Sequence, residues 1–289
     1  MKNNESLLKQ NPFEITFETK CYERDWEYLL KTKHLDRMIR NCNTTFSFRQ
    51  LIINNVEHPE LVKKYAQRKV DEGIIDAFYF VDDYIDEALP LFGLQKDSFG
   101  IGYYYSCSEL VGLYVSKTKY HLHFSSDAFM LNNNQGKWIT DACRIMEENP
   151  RVFAANPTWN YCFDDVKEQA IGEILEKFYV GRGFSDQCYL VRTVDLKAKI
   201  YNYSHPVSKR YPKYGGELFE KKIDSYMQTM ELLRLTSIYE VYIHKNFPKR
   251  KQKFYKFLVV ILLRLNLYYL VRYFRIKYYS NKIKRIKII

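Results

Sequence analysis

The sequence predicts an α/β fold, a mostly parallel sheet flanked by helices, from three observations. Short β-forming runs alternate with helix-period segments through the first half of the chain, the pattern of parallel βαβ units. Residues 120–130, Tyr-His-Leu-His-Phe-Ser-Ser-Asp-Ala-Phe-Met, read as a buried strand running out into a turn that delivers one carboxylate, Asp127. The segment before it, residues 106–118, has helical spacing, with Leu110, Leu113, Tyr114 and Lys117 three or four apart. A helix feeding a strand that ends in an acidic turn is the core unit of a nucleotide-binding sheet, whose ligands sit outside the carboxyl ends of the strands.

The elements follow in order. Residues 15–19 alternate apolar and polar β-formers and make the first strand, which gives way to the polar loop Lys20-Cys21-Tyr22-Glu23-Arg24-Asp25. Asp25 caps a helix over residues 26–41. Residues 46–56 form a second strand ending in Asn54-Asn55, and Pro59 stands near the start of a polar helix over 60–72. Residues 74–82 are a third short strand; Asp82-Asp83 with Asp86-Glu87 look like an acidic helix start favoured by the helix dipole. A linker with two glycines, 99–105, leads to the helix and the Asp127 strand. Beyond, residues 137–148 read as a helix with Trp138, Ile139, Ala142 and Ile145 on one side. Residues 152–155 are a strand broken by Asn156-Pro157, and Gly181-Arg182-Gly183 hinges a loop through Ser185-Asp186 into an apolar segment. Residues 201–216 are irregular, and 217–240, without Gly or Pro, predict one long helix.

Composition narrows the class. The chain of 289 residues is 46% hydrophobic and 27% charged, a globular balance. Cys21, Cys42, Cys107, Cys143, Cys162 and Cys188 are scattered with no C-x-x-C pair, which predicts free thiols in a reducing compartment. Residues 1–10 are polar with no apolar core, so a cytosolic protein is expected. The net charge of +11 is concentrated: residues 245–289 hold 14 Lys/Arg and no acid, leaving 31 basic against 34 acidic residues elsewhere. A body without its own basic excess argues against nucleic acid as a partner. No Gly-x-x-x-x-Gly-Lys-Ser/Thr and no Gly-x-Ser-x-Gly is present, which removes P-loop NTPases and α/β-hydrolases. His121 and His123 share a strand face, but the sequence shows no third ligand for a zinc site.

On these residues the chain resembles the nucleotide-sugar glycosyltransferases of the GT-A (Rossmann-like) fold, in particular the inverting family two of bacterial surface-polysaccharide synthesis, over residues 15–196. The resemblance implies that Tyr22 stacks on the donor base, with Thr19 and Glu23 beside it in the donor pocket. Asn54 and Asn55 stand where the family has acids for base and ribose. Ser125-Ser126-Asp127 occupies the place of the family's metal-binding Asp-x-Asp and keeps only its last carboxylate, so Asp127 is the expected ligand of Mn²⁺ or Mg²⁺, with Ser126 on the donor. Asp186 corresponds to the base that takes the acceptor hydroxyl's proton, and His205 to a late His returning to the metal or diphosphate. Lys209 and Arg210 could cover phosphate charge, and Trp159 and Tyr161 an acceptor sugar. Each has a plain structural alternative: a turn Asp, a helix cap, a loop His, a solvated pair and core aromatics.

The tail, residues 254–279, has no uncharged apolar run long enough to span a bilayer. On a single helix Lys253, Lys256, Arg264, Arg272 and Arg275 fall within an arc of about 160°, the pattern of an in-plane helix on an anionic membrane surface. The expected organisation is a catalytic domain over 1–216, a helical extension over 217–250 and a basic amphipathic segment over 251–289. The expected function is transfer of a sugar from a nucleotide-diphosphate donor to a lipid-linked or other glycan acceptor, on the inner face of the cell membrane. The alternative is a non-catalytic, membrane-associated partner on the same fold.

Overall fold

The computed structural model describes residues 11–131, 136–175, 177–211, 216–245, 258, 261–263 and 265–273. Its strands are β1 (Ile15–Cys21), β2 (Phe48–Ile53), β3 (Ala77–Phe80), β4 (Tyr120–Phe124), β5 (Ala128–Met130), β6 (Val152–Trp159), β7 (Ala170–Leu175), β8 (Phe178–Gly181), β9 (Cys188–Arg192) and β10 (Leu233–His244). They form one sheet in the order β3-β2-β1-β4-β9-β6-β10-β8-β7, with β5 paired to β10. The helices are α1 (Trp26–Lys31), α2 (His34–Asn41), α3 (Pro59–Asp71), α4 (Val81–Leu91), α5 (Tyr103–Val115), α6 (Lys137–Glu148), α7 (Phe163–Gln169), α8 (Thr193–Lys197) and α9 (Phe219–Thr229). This is the α/β architecture expected, a mostly parallel sheet with helices on both faces.

Alternation along β1 and β4 separates the faces chemically. Ile15 and Phe17 of β1 pack with Tyr120, Leu122 and Phe124 of β4 into an apolar layer that includes Leu29, Met38 and Val62 of α1, α2 and α3. The intervening residues, Thr16, Glu18, His121 and His123, are equally buried but polar. α5 lies over that second face, close enough that a Cβ on Gly112 would stand 1.9 Å from Glu18 Oε2. The six cysteines are all buried and none forms a disulfide.

Several elements differ from expectation for identifiable reasons. The helix over 26–41 is two helices, because the chain extends at Thr32 before α2 begins. β6 runs through Pro157 to Trp159; its pairing with β9 ends at Ala155, so the missing proline N–H costs no bond on that side. The helix over 217–240 is helical only as α9; Glu231 then takes a left-handed φ of 52° and the chain becomes β10. β10 enters the sheet between β6 and β8, so residues 217–244 complete the same sheet and core and are not a helical extension. The tail is not one straight helix: Asn266 has φ 57°, and Leu267 N–H turns back to the Leu262 carbonyl at 2.8 Å. Leu262, Leu263 and Val271 pack on Tyr161, Val241 and Ile243, whereas Leu265 and Tyr269 are exposed. Most of 251–289 lies outside the described residues, among which no helix is long and apolar enough to cross a membrane.

Candidate active site at the carboxyl edge of the sheet

β1, β2, β3, β4, β6 and β10 all run the same way, β9 being antiparallel to both β4 and β6. Their carboxyl ends therefore share one edge. It carries Tyr22 and Glu23 after β1, Asn54 and Asn55 after β2, Ser126 and Asp127 after β4, Trp159 at the end of β6, and His244 at the end of β10. Asp186, just before the antiparallel β9, joins the same edge.

Asp127 sits in a tight turn closed by Ala128 N–H on the Ser125 carbonyl at 2.9 Å. Ser125 N–H donates to the Gln187 carbonyl at 2.9 Å, which ties this turn to the residue following Asp186. The Asp127 side chain is 38% exposed, and its Oδ1 lies 3.3 Å from His244 Nε2. Burial would raise its pKa, but the His244 contact and the Ser125 hydroxyl outweigh that and hold it below the ordinary carboxylate range. His244 is itself clamped. Asn160, in a left-handed conformation, accepts its N–H at 3.0 Å and donates to its carbonyl at 3.1 Å. A carboxylate and an imidazole thus converge at an accessible strand tip.

A second ring of groups braces this turn. Asp25 accepts Tyr22 N–H at 2.8 Å through one oxygen and the Ser126 hydroxyl through the other. Burial pushes Asp25 up to about 6 against these hydrogen bonds. His34 lies 2.9 Å from the Ser126 carbonyl, and burial depresses its pKa to about 4, so at neutral pH the uncharged ring donates Nε2–H. Lys245 N–H donates to the Asp127 carbonyl at 3.2 Å, and its ammonium lies over the Tyr28 and Phe129 rings.

Asp186 faces a different set. Glu220 on α9 is pushed well above the ordinary range by burial and then by Asp186, which hydrogen-bonds it. Lys20, ion-paired with the wholly buried Glu109 on α5, also feels the Asp186 charge.

The remaining expected residues divide clearly. Tyr22 is 46% exposed. Glu23 and Asn55 line a cavity of about 350 Å³ with Glu57, Pro59, Phe80 and Asp82. Thr19 is fully buried within β1 and presents nothing to a ligand. Asn54 turns its amide inward, donating to the Tyr104 carbonyl at 2.9 Å at the start of α5. Trp159 packs against the core, and Tyr161 is buried where it lines a cavity of about 480 Å³ with Trp138, Glu240 and Arg272. His205 stands apart from Asp127 in its contacts: its Nδ1 accepts Val207 N–H at 3.3 Å and caps the short 3-10 turn Pro206–Arg210. Arg210 of that turn pairs with Asp224 at 2.9 Å. The late histidine beside Asp127 is His244, which the reading of 217–240 as helix concealed; the β-rich run Leu233–His244 was the available signal.

No protein-family model matches the sequence, and no curated protein does. Among solved structures, the chain is similar to GalNAc-T7, determined with UDP, GalNAc and Mn²⁺. The TM-score is 0.50 at 9% identity, covering 80% of this chain and 44% of that one. A mycobacterial protein of known structure is similar over 82% of this chain and 69% of its own, at 12% identity and TM-score 0.43. The chain spans less than half the length of GalNAc-T7, and the likeness is one of fold: the sheet order and flanking helices described above are GT-A-like.

Proposed function

We propose that this chain is a nucleotide-sugar glycosyltransferase whose donor diphosphate lies over the Asp127 turn. The observation that carries the reading is the meeting of Asp127 and His244 at the carboxyl edge that also bears Asp186. In this reading the exposed ring of Tyr22 stacks on the base, and the cavity lined by Glu23 and Asn55 takes the nucleoside. Asp127 and His244 offer an oxygen and a nitrogen to a divalent cation, a mixed set that suits Mn²⁺ better than the all-oxygen preference of Mg²⁺. Such a cation, when bound, supplies charge neutralisation for the departing diphosphate. Lys245 adds positive charge at the same edge. Asp186 takes the proton of the acceptor hydroxyl, and Glu220 beside it holds it in place by a hydrogen bond.

The acceptor in this proposal is a lipid-linked or other glycan of cell-surface polysaccharide synthesis, with Trp159 and Tyr161 on the acceptor side. A peripheral position on the inner face of the membrane is supported by the 14 basic residues and no acid of 245–289 and by the exposed Leu265, Leu267 and Tyr269. The test is transfer from a panel of UDP- and GDP-sugars to crude lipid acceptor: one donor is expected to turn over, and Asp186→Ala to abolish transfer. A non-catalytic partner role is the second reading, favoured by Ser125 standing where a second acid would and by the inward amide of Asn54. Nucleotide binding without turnover of any donor would establish it.

A further inference from the structure

One residue row below the active edge, a register line crosses four strands: Gln50 of β2, Glu18 of β1, His123 of β4 and Tyr189 of β9 stand side by side. His121, two residues before His123, projects from the same face. Glu18, His121 and His123 have no solvent exposure. Glu18 Oε1 lies 2.9 Å from His123 Nδ1 and 3.4 Å from His121 Nε2, and the three ligand-type atoms are all within 4.8 Å of one another. The other carboxylate oxygen is fixed by Gln50, whose amide donates to it at 2.5 Å and to the Gly112 carbonyl at 2.9 Å. Oε1 is thereby turned toward the two rings. The Tyr189 ring stacks on His123 at 4.9 Å and closes the far side.

What the protein itself does not supply is hydrogen bonding. Both ring nitrogens of His121 and Nε2 of His123 are buried without a hydrogen-bond partner, and so is the Tyr189 hydroxyl. A proton held between Glu18 and His123 accounts for the 2.9 Å contact and leaves His121 with only the 3.4 Å approach of Nε2 to the same oxygen and an unpartnered Nδ1, an unusual cost in a core. Ligand atoms bound to one ion at about 2.0–2.2 Å in a tetrahedral shell lie about 3.3–3.6 Å apart; the two Glu18 contacts, 2.9 and 3.4 Å, fall near that spacing, and the remaining pair lies within 4.8 Å. Two imidazoles and one carboxylate form a recurrent donor set for Zn²⁺ and other first-row divalent cations.

We propose that Glu18, His121 and His123 form a buried structural metal site, separate from the Asp127–His244 pair, that ties β1 to β4 beneath the active edge. Because α5 closes over it with Gly112 against the carboxylate, the ion enters during folding and exchanges slowly afterwards. The proposal does not depend on the glycosyltransferase reading.

The test is elemental analysis of the full chain after prolonged dialysis against EDTA. About one equivalent of a first-row divalent metal per chain is expected to remain. The double variant Asp127→Ala/His244→Ala should keep it, and His121→Gln and His123→Gln should lose it. Should those two variants fail to fold, wild-type protein unfolded in guanidine with EDTA and refolded with Co²⁺ decides the matter. Visible cobalt absorption and recovery that requires the metal support the site. Metal-free protein that refolds fully in EDTA, with no cobalt spectrum, overturns it. Metal lost in the Asp127→Ala/His244→Ala protein and kept in His121→Gln also overturns it, by placing the ion at the surface.

Discussion

Strand β4 and the turn that follows it contribute to two carboxylate–histidine clusters, a few residues apart, and these differ in nearly everything but chemistry. At its tip, Asp127 is 38% exposed and meets one histidine brought from the end of β10. Within the sheet, Glu18 meets two histidines with no exposure at all. The first geometry leaves the strand tip accessible; the second is sealed by α5 and Tyr189. In the two proposals the same residue types serve an exchangeable site and a permanent tie, and depth in the sheet separates them. Burial would raise the Glu18 pKa, but His121 and His123 overcome it and lower it to about 2, so the inner carboxylate is charged at neutral pH.

That contrast can be broken by mutation, beginning with the interior. Glu18→Ala removes the buried carboxylate that both imidazoles contact and is expected to cost about 3–5 kcal/mol, lowering Tm by roughly 10 °C in a thermal melt. Asp127→Ala should instead spare stability, with Tm within about 2 °C of wild type, and reduce turnover by about 100-fold or more in the transfer assay. If Asp127→Ala melted as early as Glu18→Ala, the tip would be structural as well.

Smaller effects sharpen the picture away from both clusters. Glu240 accepts backbone hydrogen bonds from Lys137 and Trp138 at the start of α6, yet burial pushes it up to about 7. A carboxyl raised in the folded state contributes stability below its unfolded pKa of 4.5 and loses that contribution as pH rises through about 7. Glu240→Gln should therefore match wild type near pH 5 and melt about 2–5 °C higher at pH 8.5. His205→Ala removes only a partly exposed turn cap; stability should change by less than about 1 kcal/mol and turnover not at all.

Much of the first half of the molecule is legible in the sequence, because βα alternation fixes both strand direction and the edge where loops emerge. Asp127 falls on that edge for this reason, whereas Asp186 reaches it because the antiparallel β9 begins there. Two relations escape any such reading. The adjacency of Glu18 to His121 and His123 is created by the parallel register of β1 with β4, which no local pattern specifies. His244 reaches Asp127 only because Leu233–His244 inserts as a strand between β6 and β8. A run free of Gly and Pro satisfies a helix as readily as a fully buried strand, so the length of 217–240 misled and the left-handed turn at Glu231 was invisible. The resemblance marks His205 as the late histidine of the site, whereas its ring serves a local cap.

The central claim is that Asp127 and His244 together hold the cation that grips a nucleoside diphosphate. Calorimetric titration of UDP into the wild-type, Asp127→Ala and His244→Ala proteins, each with and without Mn²⁺, tests it directly. The account predicts that Mn²⁺ tightens UDP binding at least about tenfold in wild type and has no such effect in either variant. Equal enhancement in all three proteins, or none in wild type, would contradict it.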